Sequence, residues 1–185
     1  MELEALETDR LLLKMITPEQ FKILFQQFEQ AEIMSLLGLK TEEEFAEEKM
    51  KSDRGYQTYD RTILSFFLVL KETNETIGRS GFHNWYAKHQ RAEVGYVLSS
   101  EAHRRQGYMG EALAAILEHG FKVMGLNRIE ACIGPDNIAS LTLIKKFGFT
   151  QEGILRQHYC YDGELMDSII FSLLREEYSS ASESE

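Results

Sequence analysis

The densest set of groups able to do chemistry lies in one stretch, Ser99-Ser100-Glu101-Ala102-His103-Arg104-Arg105-Gln106-Gly107-Tyr108-Met109-Gly110-Glu111-Ala112-Leu113. The spacing predicts the end of a strand, Arg91 to Leu98, then a basic loop, then a long helix from about Gly107 to Met124. Leu113, Ile116, Leu117, Phe121 and Met124 recur at helical spacing along that helix. A helix start leaves its first backbone N–H groups without intrahelical partners and carries partial positive charge. Glycine lets an anion come close to those groups, and Arg104 and Arg105 add full charges. Such a loop can hold a phosphate. The same residues also fit an ordinary strand-to-helix loop with solvated arginines, and these features alone leave the two readings even. No Gly-Lys-Ser/Thr closes the stretch, so it is not a P-loop, and it lacks the dinucleotide Gly-x-Gly-x-x-Gly pattern.

Three groups elsewhere could accept a proton. Strand alternation turns Glu93 away from Val94 and Tyr96 and puts it on one face with Gly95 and Val97. It is a cleft carboxylate if that face lines a cleft, and an exposed one otherwise. Glu130 is a second candidate, on a different strand. His83 is a third, within Phe82-His83-Asn84-Trp85-Tyr86, where an imidazole, an amide and two aromatics meet at a strand end. Histidine titrates near neutrality, although one at a strand end is often structural. Cys132 and Cys160 make neither a disulfide framework nor a zinc site. They read as buried thiols in a reducing compartment, neither is placed as a strand-to-helix nucleophile, and no metal is expected.

The elements that must position these groups follow from the pattern. Thr8 to Met15 reads as a first strand. Thr17-Pro18-Glu19-Gln20 opens a helix with a cap, a first-position proline and a capping-box glutamine. A second helical stretch starts at Thr41 with Glu44 three residues on; the segment from about Gln20 to Arg61 is otherwise weakly specified. Leu64–Leu70 and Thr76–Phe82 read as strands around the turn Glu72-Thr73-Asn74-Glu75. Asn127 to Ile133 is a strand, and Asp136 or Asn137 caps a helix from Ile138 to Phe147 that Gly148 ends. Thr150–Tyr161 and Glu164–Leu174 form a hairpin about Asp162-Gly163. The sequence predicts one α+β domain over 1–178, with a central, mostly antiparallel mixed sheet and about four helices. The acidic, serine-rich tail over 179–185 is expected to be disordered.

The bulk numbers narrow the function. A chain of 185 residues with 43% hydrophobic and 27% charged residues suits one soluble domain with a real core. No apolar run is long enough to span a bilayer. The acidic start, Met1 to Glu7, has no signal-peptide pattern, so a cytoplasmic location is expected. A formal net charge of −10 argues against a nucleic-acid binder. It is compatible with a cationic partner, and a monomer or homodimer fits equally.

The central stretch resembles the R/Q-x-x-G-x-G/A signature of the GNAT N-acetyltransferases. Arg104 takes the first place and Gly107 the fourth; Met109 stands where Gly or Ala is usual, and Gly110 follows it. Thr8-Asp9-Arg10-Leu11-Leu12-Leu13, Ala92-Glu93-Val94-Gly95-Tyr96-Val97-Leu98, Asn127-Arg128-Ile129-Glu130-Ala131, Asn137-Ile138-Ala139-Ser140 and Lys146-Phe147-Gly148-Phe149 resemble the branch of ribosomal-protein N-terminal acetyltransferases. The resemblance runs from about Thr8 to Arg175. It implies the GNAT fold and transfer of acetyl from acetyl-CoA, as cosubstrate, directly to a primary amine. The implied donor site is Arg105, Gln106, Gly107, Tyr108, Met109 and Gly110. The backbone of Val97, Leu98 and Ser99 would pair with pantetheine, and Asn137 would face it. Glu93 is the favoured base. Many members protonate the leaving thiolate with a helix tyrosine. Ile144 holds that place here, and Ser140 is the substitute this branch suggests, with Tyr159 and Tyr161 in reserve. The expected acceptor is a protein or peptide N-terminal α-amine. The alternatives are a small-molecule amine and a non-catalytic acyl-CoA-binding module.

Overall fold

A computed structural model describes residues 3–182. Strands β1 (Ala5–Glu7) and β2 (Leu11–Ile16) precede helices α1 (Pro18–Gln27), α2 (Gln30–Leu37) and α3 (Glu42–Arg54). Then come β3 (Thr62–Leu70), β4 (Thr76–Tyr86), β5 (Arg91–Leu98), α4 (Tyr108–Lys122) and β6 (Arg128–Ile133). The chain continues through α5 (Ile138–Lys146), β7 (Thr150–Tyr161), β8 (Glu164–Leu174) and α6 (Arg175–Ser182). The strands form one sheet in the order β1-β2-β3-β4-β5-β6-β8-β7, antiparallel at each described pair except β5–β6. This is the expected α+β fold, with six helices among the described residues where the sequence suggests about four.

Local chemistry explains the boundaries. Thr17 and Thr41 cap α1 and α3 with complete capping boxes through Gln20 and Glu44. The unexpected α2 starts the same way, with Glu29 and Glu32 exchanging the box contacts. Strand β1 is also unexpected; Leu6 pairs with Leu13 of β2 and packs against the core. Helix α6 reaches into the tail expected to be disordered, while 183–185 lie outside the described residues.

Alternation along the strands gives the sheet two apolar faces. Phe66, Phe82 and Val94 pack with Leu113, Ile116 and Leu117 of α4 and Ile144 of α5. Phe67 and Ile16 point the other way, to Phe21 and Leu24 of α1 and Ile33 and Leu37 of α2. Burying each large side chain contributes roughly 1.5–3 kcal/mol. At Gly120, a Cβ would come within 2.7 Å of the Phe82 ring, so a glycine lets α4 lie close on the sheet.

Helix α3 is tied down by a carboxylate. Glu48 is 4% exposed. It accepts from the Tyr56 hydroxyl at 2.7 Å, Arg79 at 3.1 Å and Lys51 at 3.3 Å. Burial alone would raise its pKa, but those donors and the two cations together hold it below the usual carboxylate range. A lowered folded-state pKa contributes stability that is present above the unfolded value of about 4.3 and is lost as pH falls through the folded value. Glu48→Gln is therefore expected to cost about 1–3 kcal/mol at pH 7, with the gap from wild type closing on acidification. Urea melts at pH 7 and pH 3 check this; an equal gap at both would refute it.

Candidate active site

The site forms where the sheet opens. Strands β5 and β6 pair only over Arg91–Glu93 and Arg128–Glu130. Beyond Glu93 the β5 edge toward β6 is unpaired, while its other edge stays bonded to β4 as far as Leu98. A cleft enters there, lined by Glu93 and Tyr96 on β5, Cys132 and Gly134 at the end of β6, and Asn137 and Ser140 at the start of α5. It joins a second cavity through Tyr96, Asn137 and Ser140. That cavity is lined by Val97, Leu98, Arg104, Arg105, Met109 and Leu143 as well.

The phosphate loop has the expected ingredients. Gly107 is the N-cap of α4 at φ +81°, a left-handed conformation that favours glycine, and it offers no capping side chain to the first-turn N–H groups. Arg105 also stands at positive φ, +60°, which is uncommon for a residue with a side chain. Arg104 pairs with Glu101 at 3.0 Å, whereas among the described residues Arg105 has no ion pair. Arg10 braces the loop from the far end of the chain: it binds Glu111 at 2.7 Å, donates to the Gln106 carbonyl at 2.9 Å, and lies 4.4 Å over the Tyr108 ring.

Val97, Leu98, Arg105, Met109, Asn137 and Ser140 thus share one cavity, and Gly107 and Gly110 sit at the adjoining helix start. Three expected donor residues turn elsewhere. Gln106 donates its side chain to the Ala102 carbonyl at 2.6 Å, Tyr108 packs under Arg10, and the Ser99 N–H is bonded to Ile77 at 2.9 Å. The Asn137 carbonyl oxygen caps α5 by accepting from the Ser140 N–H at 3.1 Å. Ile144 is fully buried in the core and cannot reach the cleft.

A family model described as an acetyltransferase (GNAT) domain matches residues 10–150. The chain belongs to the GNAT acetyltransferases. The uncharacterized N-acetyltransferase YoaA of Bacillus subtilis (strain 168) is 34% identical over 171 residues, 92% of this chain and 96% of that one. The ribosomal-protein-serine acetyltransferase of Escherichia coli (strain K12) is 32% identical over 99 residues, 54% of each chain. The spermidine N(1)-acetyltransferase of the same organism is 24% identical over 90 residues, 49% of this chain and 48% of that one. A solved structure of a probable GNAT acetyltransferase from Chromobacterium violaceum superposes with TM-score 0.70 at 23% identity, covering 97% of this chain and 90% of that one. The protein is an acetyl-CoA-dependent N-acetyltransferase, so the reading as a non-catalytic module falls away.

GNAT membership implies acetyl-CoA, and the site fits it. The open β5 edge offers backbone partners to an extended chain, the uncapped start of α4 and Arg105 suit a pyrophosphate, and a buried hydroxyl waits without a partner. That hydroxyl belongs to Tyr96: it is buried and completes no hydrogen bond among the described residues, with the Ser140 hydroxyl near it. Burial raises its pKa, an effect that the nearby Ser140 hydroxyl only partly offsets, so it stays a neutral donor. Sequence reasoning passed over Tyr96 because alternation puts it on the packed face; only its lack of a partner there marks it out.

On the opposite face of β5, Glu93 is gathered into a cluster. It receives a hydrogen bond from Asn84 at 3.0 Å and lies 3.2 Å from His83 Nε2. Burial pushes its pKa up, but His83, Asn84 and Cys132 pull it down further, so it is held below the usual carboxylate range. A carboxyl so stabilised is a weak base and a good partner for an imidazole. The ring of His83 lies over Gly95, where a Cβ would meet it at 3.0 Å. With its proton on Nε2 toward Glu93, the ring has Nδ1 free for a proton. Glu130 is tied up by Arg91 at 2.9 Å and Arg128 at 2.8 Å. Burial and the Glu93 charge push the Cys132 thiol up to about 12, so it is not a thiolate nucleophile.

Gly107→Glu is expected to abolish acetyl-CoA binding, because it puts bulk and negative charge at the uncapped helix start in a left-handed position. Calorimetric titration of the folded variant checks this; unchanged affinity would move the donor site elsewhere.

Proposed function

We propose that this enzyme acetylates the N-terminal α-amine of a peptide or protein by direct transfer, without an acyl-enzyme. The observation that carries the reading is the opened end of β5: Glu93 lines the cleft with Tyr96 and Ser140, His83 of β4 stands 3.2 Å from Glu93, and burial keeps the Cys132 thiol protonated. Bound acetyl-CoA supplies a thioester whose carbonyl carbon a neutral amine attacks, forming the C–N bond as the C–S bond breaks and its electron pair goes to sulfur. His83 Nδ1 takes the proton that the amine loses, and Glu93 stabilises the resulting imidazolium. Tyr96 and Ser140 donate hydrogen bonds toward the departing thiolate.

The preference for an α-amine follows from how readily each amine loses its proton. An α-amine has a pKa of about 8 and a lysine amine about 10.4, so near pH 7.5 the neutral fractions differ by roughly two hundredfold. The match to the ribosomal-protein-serine acetyltransferase supports the same acceptor. The match to the spermidine acetyltransferase supports the rival, a small polyamine. Two peptides separate α-amine from lysine: one with a free N-terminus and no lysine, the other blocked and containing lysine. Mass spectrometry is expected to place acetyl on the first. Acetylation of the lysine peptide alone, or of spermidine while neither peptide reacts, would refute the reading.

His83→Gln and Glu93→Gln are each expected to lower kcat by roughly 10²-fold with acetyl-CoA affinity unchanged. Because the two act as a unit, the double variant is expected to lose little more than either single one. Additive losses, or full activity of either variant, would remove the pair from the chemistry.

A further inference from the structure

The groove on the His83 side of the sheet has a charge pattern that names its acceptor more closely. We propose that it takes an amine with an anionic group several bonds away, such as the carboxylate of a following acidic residue, and that Arg79 and Lys51 hold that group. The proposal rests on the acetyltransferase reading above.

The floor of the groove is set by strand register. His83 pairs with Glu93, Gly81 with Gly95, and Arg79 with Val97. Alternate residues share a face, so one row runs from the proton-accepting pair, across two residues without side chains, to Arg79. Four residues of strand span about 13 Å between the ends of that row. The two glycines leave a hollow between them, and α3 walls it with Lys51 and the segment beyond with Tyr56. The space, about 430 Å³, suits the end of a short peptide or a small amine.

The charged groups lining this hollow are Glu48, Lys51, Arg79 and His83. Glu48 is one carboxylate, and Tyr56 already donates to it. Both Arg79 and Lys51 lean on it, so the Arg79 end keeps one surplus positive charge, while the Glu93 carboxylate, 3.2 Å from His83, puts a negative charge at the other end of the row. Neither cation is sealed off: their side chains remain 45% and 46% exposed. Arg79 meets Glu48 through one terminal nitrogen, and among the described residues its other donors have no hydrogen-bond partner. Glu44 and Glu47 line the adjoining hollow beyond Arg79, and Glu44 is committed to the cap of α3. A planar guanidinium with free donors suits a carboxylate. The whole chain, at −10, attracts cations at long range; the Arg79 end of the hollow has the opposite preference.

The test uses C-terminally amidated tetrapeptides that differ only at the second residue, Ala-Glu-Ala-Ala, Ala-Gln-Ala-Ala and Ala-Arg-Ala-Ala, with the full-length enzyme. The glutamate peptide is expected to show kcat/KM about tenfold above the glutamine peptide, mainly through KM, with the arginine peptide lowest. Arg79→Gln and Lys51→Gln are each expected to shrink the glutamate-to-glutamine ratio toward one, and thermal melts report whether each is folded. The Lys51 variant, on a helix rather than a central strand, keeps the test available if the Arg79 variant unfolds. Equal rates across the peptides, a preference for arginine, or ratios unchanged in the folded variants would overturn it. Wild-type enzyme that binds acetyl-CoA but acetylates none of these amines, nor lysine or spermidine, would overturn the acetyltransferase reading and this proposal with it. Activity on some amine without the charge preference overturns this proposal alone.

Discussion

Everything at the site depends on three residues' worth of parallel pairing. β5 and β6 hold together only through Arg91–Glu93 and Arg128–Glu130 and then part. Backbone N–H and C=O groups taken from water need partners. The opened edge of β5 is therefore an unmet demand on a rigid element, bonded along its other side to β4. The ion pairs at the root of the opening fix where the pairing stops: Arg91 and Arg128 both grip Glu130, and Arg128 also holds Glu152 of β7 at 2.5 Å. Glu130, plausible as a base from its residue type, is thus engaged by two arginines, while Glu93 beside it lines the cleft.

The two faces of β5 then divide the labour. Even-numbered residues look toward α4 and α5, where Tyr96 meets Ser140; odd-numbered ones look toward α3, where Glu93 and Gly95 meet His83. A single strand so separates the carboxylate–imidazole pair from the tyrosine and serine hydroxyls.

Much of this was legible in the sequence. Capping boxes, the Asp162-Gly163 turn and the stripe of α4 are local signals, and the elements they mark are present. Strand alternation placed Glu93 with Gly95 and Val97. The capping role of Asn137 was readable because it depends on neighbours three residues away. What was not legible depends on contacts between distant segments. The partnerless hydroxyl of Tyr96 is a property of how α5 docks. The closeness of His83 to Glu93 depends on the register of β4 against β5. Helix α2 escaped notice because its cap is a glutamate, a weaker signal than the threonines of α1 and α3. Composition alone points to a disordered tail, and the continuity of β8 into α6 that carries helix to Ser182 has no compositional signal.

The brace of Arg10 on Glu111 joins residues 101 positions apart. Thr8 reaches the same carboxylate at 2.6 Å. During synthesis the first of these partners leaves the ribosome long before the second exists. The donor loop therefore cannot take its final shape from local sequence; it waits for the amino-terminal strand to find its place beside β3, itself more than 45 residues on. Such long-range closure slows folding. The shape of the loop before α4 is thus a property of the assembled sheet, and a loosened amino terminus would take it away.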